Sequence, residues 1–105
     1  MIRVTIIYNR TESTTFDYDY YVKTHMPMVA RLTNPIRVEV DKIGPMHDGS
    51  PAPVHCLGYI YYNSLEEMEK SSGTDATKEL MADIPNYFQG GQPIILTSEI
   101  EDVPV

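Results

Sequence analysis

A histidine and two tyrosines share one face of a predicted helix, and side chains of these types could move a proton. The segment FDYDYYVKTHMPMVARL, residues 16–32, places Tyr18, Tyr21 and His25 at helical steps of three and four. An imidazole titrates near pH 6.5 when unperturbed, so it can act as an acid or a base near neutrality. Phenol groups beside it suit a pocket for a small, flat, oxygenated ligand. We take His25 as the candidate catalytic residue, and Tyr18 and Tyr21 as candidate ligand-binding residues.

The same histidine is also consistent with a structural role, because a half-buried imidazole on an apolar helix face is common in protein cores. Pro27 lies two residues further on and cannot donate to the carbonyl of Lys23. We therefore predict that the helix kinks or restarts at Pro27. The kink would leave a backbone carbonyl without its helical partner beside His25, which favours a binding site.

Period-two alternation of apolar and polar residues predicts the strands, and capping residues predict the helices. The predicted strands are residues 2–8, 36–43, 55–62 and 93–100. Ile2, Val4, Ile6 and Tyr8 share one face of the first strand, and Ile36, Val38 and Val40 point inward from the second. The first helix begins after the N-cap Asp17, with Phe16 stapled to Tyr21, and ends at residues 34–35. Its predicted buried stripe consists of Tyr18, Tyr21, Val22, His25, Met28, Val29 and Leu32. The second begins in a capping box at residues 64–67, is interrupted at 71–74 and ends at Pro85.

The resulting β-α-β-β-α-β order predicts an α+β, ferredoxin-like fold: a four-stranded antiparallel sheet with two helices on one face. A chain of 105 residues is the size of one domain, so we expect residues 1–105 to form a single domain. Three of the predicted strands are apolar on both faces, which a sheet covered on one side does not need. A second copy packed sheet to sheet would cover the open face, so we expect a homodimer.

The composition indicates what the chain is not expected to bind. The net charge of −7 disfavours nucleic acid and anionic membrane surfaces, which need local positive charge. The single Cys56 allows no internal disulfide and favours a reducing cytoplasm; we interpret it as a small buried apolar residue. His47 and His55 have no metal-ligand spacing with each other or with His25, so we predict no metal site. No signal peptide or membrane span is predicted.

Two segments resemble the signatures of the EthD family, and because they lie in that family's order in a chain of the expected length, the resemblance spans essentially the whole sequence. The first resembles that family's helix-one motif; its matching residues are Phe16, Asp17, Tyr20, Tyr21, His25, Pro27, Met28 and Val29. The second is similar to the C-terminal signature and runs from Asp83 to Phe88, before a strand. The resemblance implies a dimeric α+β barrel made of two ferredoxin-like protomers.

The resemblance also implies a range of functions and a set of site residues. Members and structural relatives include small cofactor-free enzymes, namely lactone isomerases and decarboxylases or oxygenases acting on aromatic polyketides; others have no assigned activity. His25 matches the motif histidine, and Tyr21 the second aromatic of the tyrosine pair. Asn86 and Tyr87 match the Asn-aromatic step of the second motif and are further candidate ligand-binding residues. An asparagine after Ile84–Pro85 is, alternatively, an ordinary turn residue.

We predict a cofactor-independent enzyme that acts on a small oxygenated or aromatic molecule. Two other functions would fit parts of the same residue pattern. A non-catalytic ligand carrier or accessory homodimer would present the same residue pattern. RNA-recognition domains share the order of elements, and Gly58, Tyr59, Ile60 and Tyr62 match half of their third-strand motif. The basic residue and the first aromatic of that motif are missing, with Leu57 in the aromatic position, and the net charge also argues against RNA.

Overall fold

Six strands are found in the computed structural model, which describes the backbone of residues 1–105 and all side chains except that of Thr74. In chain order they are β1 (Ile2–Asn9), β2 (Thr15–Phe16), β3 (Arg37–Lys42), β4 (Val54–Tyr62), β5 (Phe88–Gln89) and β6 (Ile94–Glu99). The main sheet has the order β3-β4-β1-β6, and every neighbouring pair is antiparallel. β2 and β5 form a separate two-stranded pair. The four predicted strands are confirmed as the four strands of the main sheet.

The helices connect these strands in the predicted ferredoxin-like order. The first consists of α1 (Tyr18–Tyr20), a π-helical segment (Tyr21–His25) and α2 (Met26–Thr33). The second region consists of α3 (Leu65–Ser71), α4 (Thr74–Asp83) and a 3-10 turn (Ile84–Asn86), with the break near Gly73 that the sequence predicted. Within residues 1–105 no helix has both the length and the apolar character that crossing a membrane requires.

The first helix begins and ends at the predicted residues. The carboxylate of Asp17 accepts a hydrogen bond of 3.1 Å from the backbone N–H of Tyr20 and so caps the helix. The rings of Phe16 and Tyr21 lie 5.2 Å apart, as the predicted staple requires. At the other end Asn34 takes a left-handed conformation with φ of 47°, and its N–H bonds the carbonyl of Ala30.

The π-helical segment accommodates Pro27 without breaking the helix. The N–H of Met26 reaches back five residues to the carbonyl of Tyr21, and α2 then begins with Pro27 in its first turn. The extra residue in this turn rotates everything after it. As a result, Met26 and Thr33 are buried, whereas Met28 and Leu32 of the predicted stripe are only partly buried. Val22, within the segment itself, is 37 % exposed although it was predicted on that stripe.

The core lies between the sheet and the helices, and the opposite face of the sheet is open in the single chain. Val4, Ile6 and Tyr8 of β1 and Ile60 of β4 point to the helices. The residues between them alternate to the outer face of the sheet. Ile36 was predicted to point inward, but it precedes β3 and is 43 % exposed.

Candidate functional site

His25 forms a buried pair with the carboxylate of Asp83, and this pair is the centre of the candidate site. His25 lies at the end of the π-helical segment and is only 4 % exposed. Asp83 is the last residue of α4. The imidazole Nδ1 lies 2.8 Å from Asp83 Oδ2, which is the distance of a charge-assisted hydrogen bond. The carboxylate therefore fixes the orientation of the ring and places a hydrogen on Nδ1.

Two further side chains hold the other oxygen of this carboxylate. The Tyr20 hydroxyl donates to Asp83 Oδ1 over 2.6 Å, and the Asn86 amide donates to the same oxygen over 2.9 Å. Burial alone raises the pKa of Asp83, but the hydrogen bonds from Tyr20, Asn86 and His25 outweigh it and lower the pKa below its usual range. Asp83 is consequently ionised at neutral pH.

On its other side, His25 contacts a pair of buried tyrosines. The Tyr87 hydroxyl lies 3.2 Å from His25 Nε2, and the Tyr8 hydroxyl lies 2.8 Å from that of Tyr87. The four side chains thus form a continuous line in the order Asp83, His25, Tyr87, Tyr8. It joins the end of α4, the first helix, the segment after the 3-10 turn and strand β1.

The electrostatics of this line determine where its protons lie. Burial lowers the pKa of His25 and exceeds the opposing effect of Asp83, so the neutral imidazole prevails at neutral pH. Nε2 of that imidazole is then an acceptor, and the Tyr87 O–H donates to it. The Tyr87 oxygen in turn accepts the O–H of Tyr8. Burial raises the pKa of both phenols well above its usual range, so neither ionises by itself.

Three of the four candidate ligand-binding residues border one open groove of about 640 Å³. Tyr18, Asn86 and Tyr87 lie in its wall, together with Lys42. Tyr18 is partly buried against the core, and its ring lies 5.0 Å from the Lys42 ammonium. Asn86 does not aim its amide into an open pocket opposite His25, because that amide donates to Asp83 instead.

Tyr21, the fourth candidate, is packed in the core. Its ring stacks on His25 with 5.6 Å between centroids, as expected for residues on one helix face. Its hydroxyl is fully buried and has no hydrogen-bond partner among the described residues. The hydroxyl fits against strand β4 only because residue 58 is glycine: a Cβ at that position would lie 2.0 Å from the Tyr21 oxygen. Tyr21 therefore supports the imidazole by packing.

A second cavity, which we call the apolar cleft, lies between the main sheet and α3–α4 and has a volume of about 240 Å³. Tyr8 forms part of its wall, and so do apolar residues of both layers, among them Val4, Ile6, Ile60, Met68, Leu80, Met81 and Ile95. His25 borders neither the groove nor the apolar cleft. Tyr8 is therefore the member of the hydrogen-bonded line that reaches this cleft.

Sequence reasoning missed three members of the network, namely Asp83, Tyr8 and Tyr20. Asp83 is the first residue of the second motif. Its position five residues before a buried strand does not indicate that it contacts His25. Tyr20 lies in the first motif but between the positions of the predicted stripe. Tyr8 was placed on the correct face of β1, without a role. No group of three metal-ligating side chains occurs among the residues the structure describes.

Comparison with known proteins bears on the family and the fold of the chain. Residues 9–91 match the EthD domain. The chain is 29 % identical over 105 residues to an uncharacterized 11.0 kDa protein from the thcB–thcC intergenic region of Rhodococcus erythropolis, covering 99 % of this chain and 100 % of that protein.

Two solved structures share the fold. One is an EthD-like protein from Ralstonia eutropha, 28 % identical with a TM-score of 0.81, covering 93 % of this chain and 89 % of that one. The other is an ethyl tert-butyl ether D (EthD) family protein from Bacillus halodurans, 19 % identical with a TM-score of 0.76, covering 96 % and 99 %. Because the domain match spans most of the sequence and the first structure agrees in fold and sequence, the chain belongs to the EthD family.

Proposed function

We propose that this protein is a small cofactor-independent enzyme that acts on a small oxygenated or aromatic substrate, of the catabolic or polyketide-like kind, by acid/base chemistry. The observation that carries the proposal is the unbroken line of hydrogen bonds from Asp83 through His25 and Tyr87 to Tyr8. Tyr8 forms part of the wall of the apolar cleft, so the line joins a buried base to a cavity. Isomerisation, decarboxylation and oxygenation each have a proton removed or returned at some step.

The line can carry one proton in either direction without forming an isolated phenolate. A substrate proton passes to the Tyr8 oxygen while the Tyr8 proton passes to Tyr87 and the Tyr87 proton passes to His25 Nε2. The product is an imidazolium beside the ionised Asp83, which stabilises it by opposite charge. The reverse transfer returns the proton to the substrate, so His25 ends each cycle neutral.

The experiment that tests this proposal measures proton exchange at carbon. Small enolisable lactones and β-keto esters are incubated with the protein in D2O, and loss of the C–H signal is followed by NMR. We expect exchange with the natural protein and a loss of about 10²-fold or more in His25→Gln and Tyr8→Phe, the range typical of general acid/base groups. Circular dichroism confirms folding of each variant. Equal rates in all three proteins would contradict the proposal.

A specific observation favours the alternative, a non-catalytic ligand-binding or accessory homodimer. Both nitrogens of His25 are already hydrogen-bonded, and the ring is 4 % exposed. A purely structural histidine would have the same contacts. Ligand binding without any carbon-proton exchange, or loss of the fold together with function in His25→Ala, would support this alternative.

We also propose that the protein acts as a cytoplasmic homodimer joined through the outer face of its sheet. Side chains on that face include Leu96, which is 51 % exposed in the single chain, and Tyr59 and Tyr61, whose rings lie 6.5 Å apart. A second copy packed sheet to sheet would cover them.

A further inference from the structure

We propose that Tyr20 is a positioning residue of the candidate site: it holds both hydrogen-bond partners of His25 and lowers the proton affinity of that histidine. The Tyr20 hydroxyl binds the carboxylate of Asp83, and the Tyr20 ring packs on the ring of Tyr87. The inference deepens the function proposed above and rests on it for any effect on a reaction. The effect on His25 itself needs no substrate and can be measured on the protein alone.

The hydroxyl of Tyr20 makes the shortest hydrogen bond to the carboxylate of Asp83. It lies 2.6 Å from Oδ1, compared with 2.8 Å between His25 Nδ1 and Oδ2 and 2.9 Å between the Asn86 amide and Oδ1. Burial raises the pKa of Asp83, and the largest of the effects that oppose burial is the hydrogen bond from Tyr20. The same hydrogen bond raises the pKa of Tyr20, so the phenol stays protonated and donates.

This donation weakens the hold of Asp83 on a proton at His25. The negative charge of Asp83 stabilises an imidazolium, and the positive end of the Tyr20 O–H dipole lies against that charge and offsets part of it. The titratable side chains that face the His25 ring are Asp83 of α4, Tyr87 after the 3-10 turn and Tyr21 of its own helix. Burial raises the pKa of both phenols, so they stay neutral and the charge that acts on His25 is that of Asp83.

The ring of Tyr20 acts on the other side of the imidazole, through Tyr87. The two tyrosine rings lie nearly parallel, with 6.2 Å between centroids and 19° between planes. This packing restricts the tilt of the Tyr87 ring, whose hydroxyl lies 3.2 Å from His25 Nε2. One side chain thus contacts the partners of both imidazole nitrogens, which Asn86 does not.

Three variants separate these two contacts. Tyr20→Phe keeps the ring and removes only the hydroxyl, whereas Tyr20→Leu removes both. Asn86→Ala removes the longer hydrogen bond to the same carboxylate oxygen. The matched control is Tyr18→Phe, which removes a hydroxyl from the same helix at a ring that faces Lys42. Circular dichroism checks the fold of each variant.

The measurement is an NMR titration of the protein with ¹⁵N-labelled histidine, in which His25→Gln identifies the signals of His25. Tyr20→Phe should raise the pKa of His25, because the charge of Asp83 then acts more fully on the imidazolium, and Asn86→Ala should raise it less. Tyr20→Leu should also shift the Nε2 signal of the neutral ring toward that of a nitrogen without a hydrogen bond. Tyr18→Phe should leave the titration and the Nε2 signal unchanged.

The pH profile of proton exchange at carbon gives a second measurement. In Tyr20→Phe the acid limb of this profile should move to higher pH together with the titration of His25. Above that limb the rate should change by less than about tenfold, in contrast to the loss of about 10²-fold in His25→Gln. This difference distinguishes a residue that positions the acid/base group from the group itself.

A His25 titration in Tyr20→Phe that coincides with that of the natural protein, or that moves to lower pH, would overturn the inference. An equal shift in Tyr18→Phe would overturn it as well. Failure of the proposed function gives a different result: a raised pKa of His25 without proton exchange at carbon supports the inference and contradicts the enzyme. Proton exchange with an unchanged His25 titration has the opposite meaning.

Discussion

The hydroxyl oxygens of Tyr8 and Tyr87 lie 2.8 Å apart although the two residues are separated by 79 positions in the chain. Tyr8 is near the end of the first strand, and Tyr87 follows the last helix. Their contact therefore forms only when the second helical region has packed against the sheet. Because His25 and Asp83 join the same line from two other elements, the candidate site and the core depend on the same packing, and variants in it need a measurement of stability as well as activity.

Asp83→Asn should destabilise the protein and change the ionisation of His25. The variant keeps the size of the side chain but removes the charge that supports the hydrogen bond from His25 Nδ1. We expect a loss of about 1–3 kcal/mol in the free energy of unfolding, measured by urea denaturation, and a further fall in the pKa of His25, measured by NMR titration. Glu79→Gln changes an exposed acid on the same helix and should remain within about 0.5 kcal/mol of the natural protein. Equal stability of the two variants would show that the pair contributes little.

Stability should fall as the pH is lowered below about 6.5, the ordinary pKa of an unfolded histidine. Burial lowers the pKa of His25 in the folded state, so between that value and 6.5 the unfolded chain binds more protons than the folded one. The stabilisation is thus fully present above 6.5 and is lost as the pH falls through the folded pKa.

Denaturation of the natural protein and of His25→Gln at a series of pH values tests this prediction: the difference in the free energy of unfolding between them should shrink toward acid pH. His47→Gln changes an exposed histidine and should follow the natural protein. An advantage that does not change with pH would rule out a shifted His25.

The strands, helix caps and fold could be predicted from the sequence because local chemistry determines them. Asp17 caps the first helix through its own side chain, and Phe16 contacts Tyr21 five residues later. The alternation of β1 likewise grouped Val4, Ile6 and Tyr8 on the face that forms the core. The apolar residues on both faces of three strands led to the expectation of a homodimer.

The site could be predicted only in part because its contacts are long-range. A period of 3.6 residues placed His25 inward, but the π-helical segment that accommodates Pro27 shifted the following residues and placed Met26 inside. Asp83 approaches His25 from 58 positions away, and no local pattern encodes that distance. Tyr18 was assigned to the buried face by the same period; it is partly buried against the core and also borders the groove.

Gly58→Ala should be strongly destabilising, and Tyr21→Phe should rescue part of the loss. An alanine Cβ would lie 2.0 Å from the Tyr21 oxygen, so one of the two must move in a packed interior. We expect a loss of about 1–3 kcal/mol for Gly58→Ala. Tyr21→Phe alone removes a buried hydroxyl with no described partner and should be nearly neutral or stabilising.

A double-mutant cycle on these two positions, measured by urea denaturation, separates the clash from the intrinsic effect of alanine in a strand. Gly44→Ala is the control, since nothing lies within 4 Å of a Cβ at that position. Strictly additive effects of Gly58→Ala and Tyr21→Phe would mean that the tyrosine hydroxyl does not occupy the space at Gly58.

Leu96→Glu should convert the proposed homodimer into a folded monomer. Leu96 pairs with Thr5 across β6 and β1, so it shares the outer face of the sheet, and in the single chain it is 51 % exposed. A glutamate there is tolerated by an isolated protomer, but it would place a charge in an apolar contact between two sheets. Sedimentation at micromolar concentration should show a dimer for the natural protein and a monomer for the variant, with an unchanged circular dichroism spectrum.

The control is Val22→Glu, because Val22 is exposed on the first helix; this variant should remain a dimer. A monomeric natural protein at this concentration would exclude the sheet-to-sheet dimer, and the apolar residues on the outer face would then need another explanation.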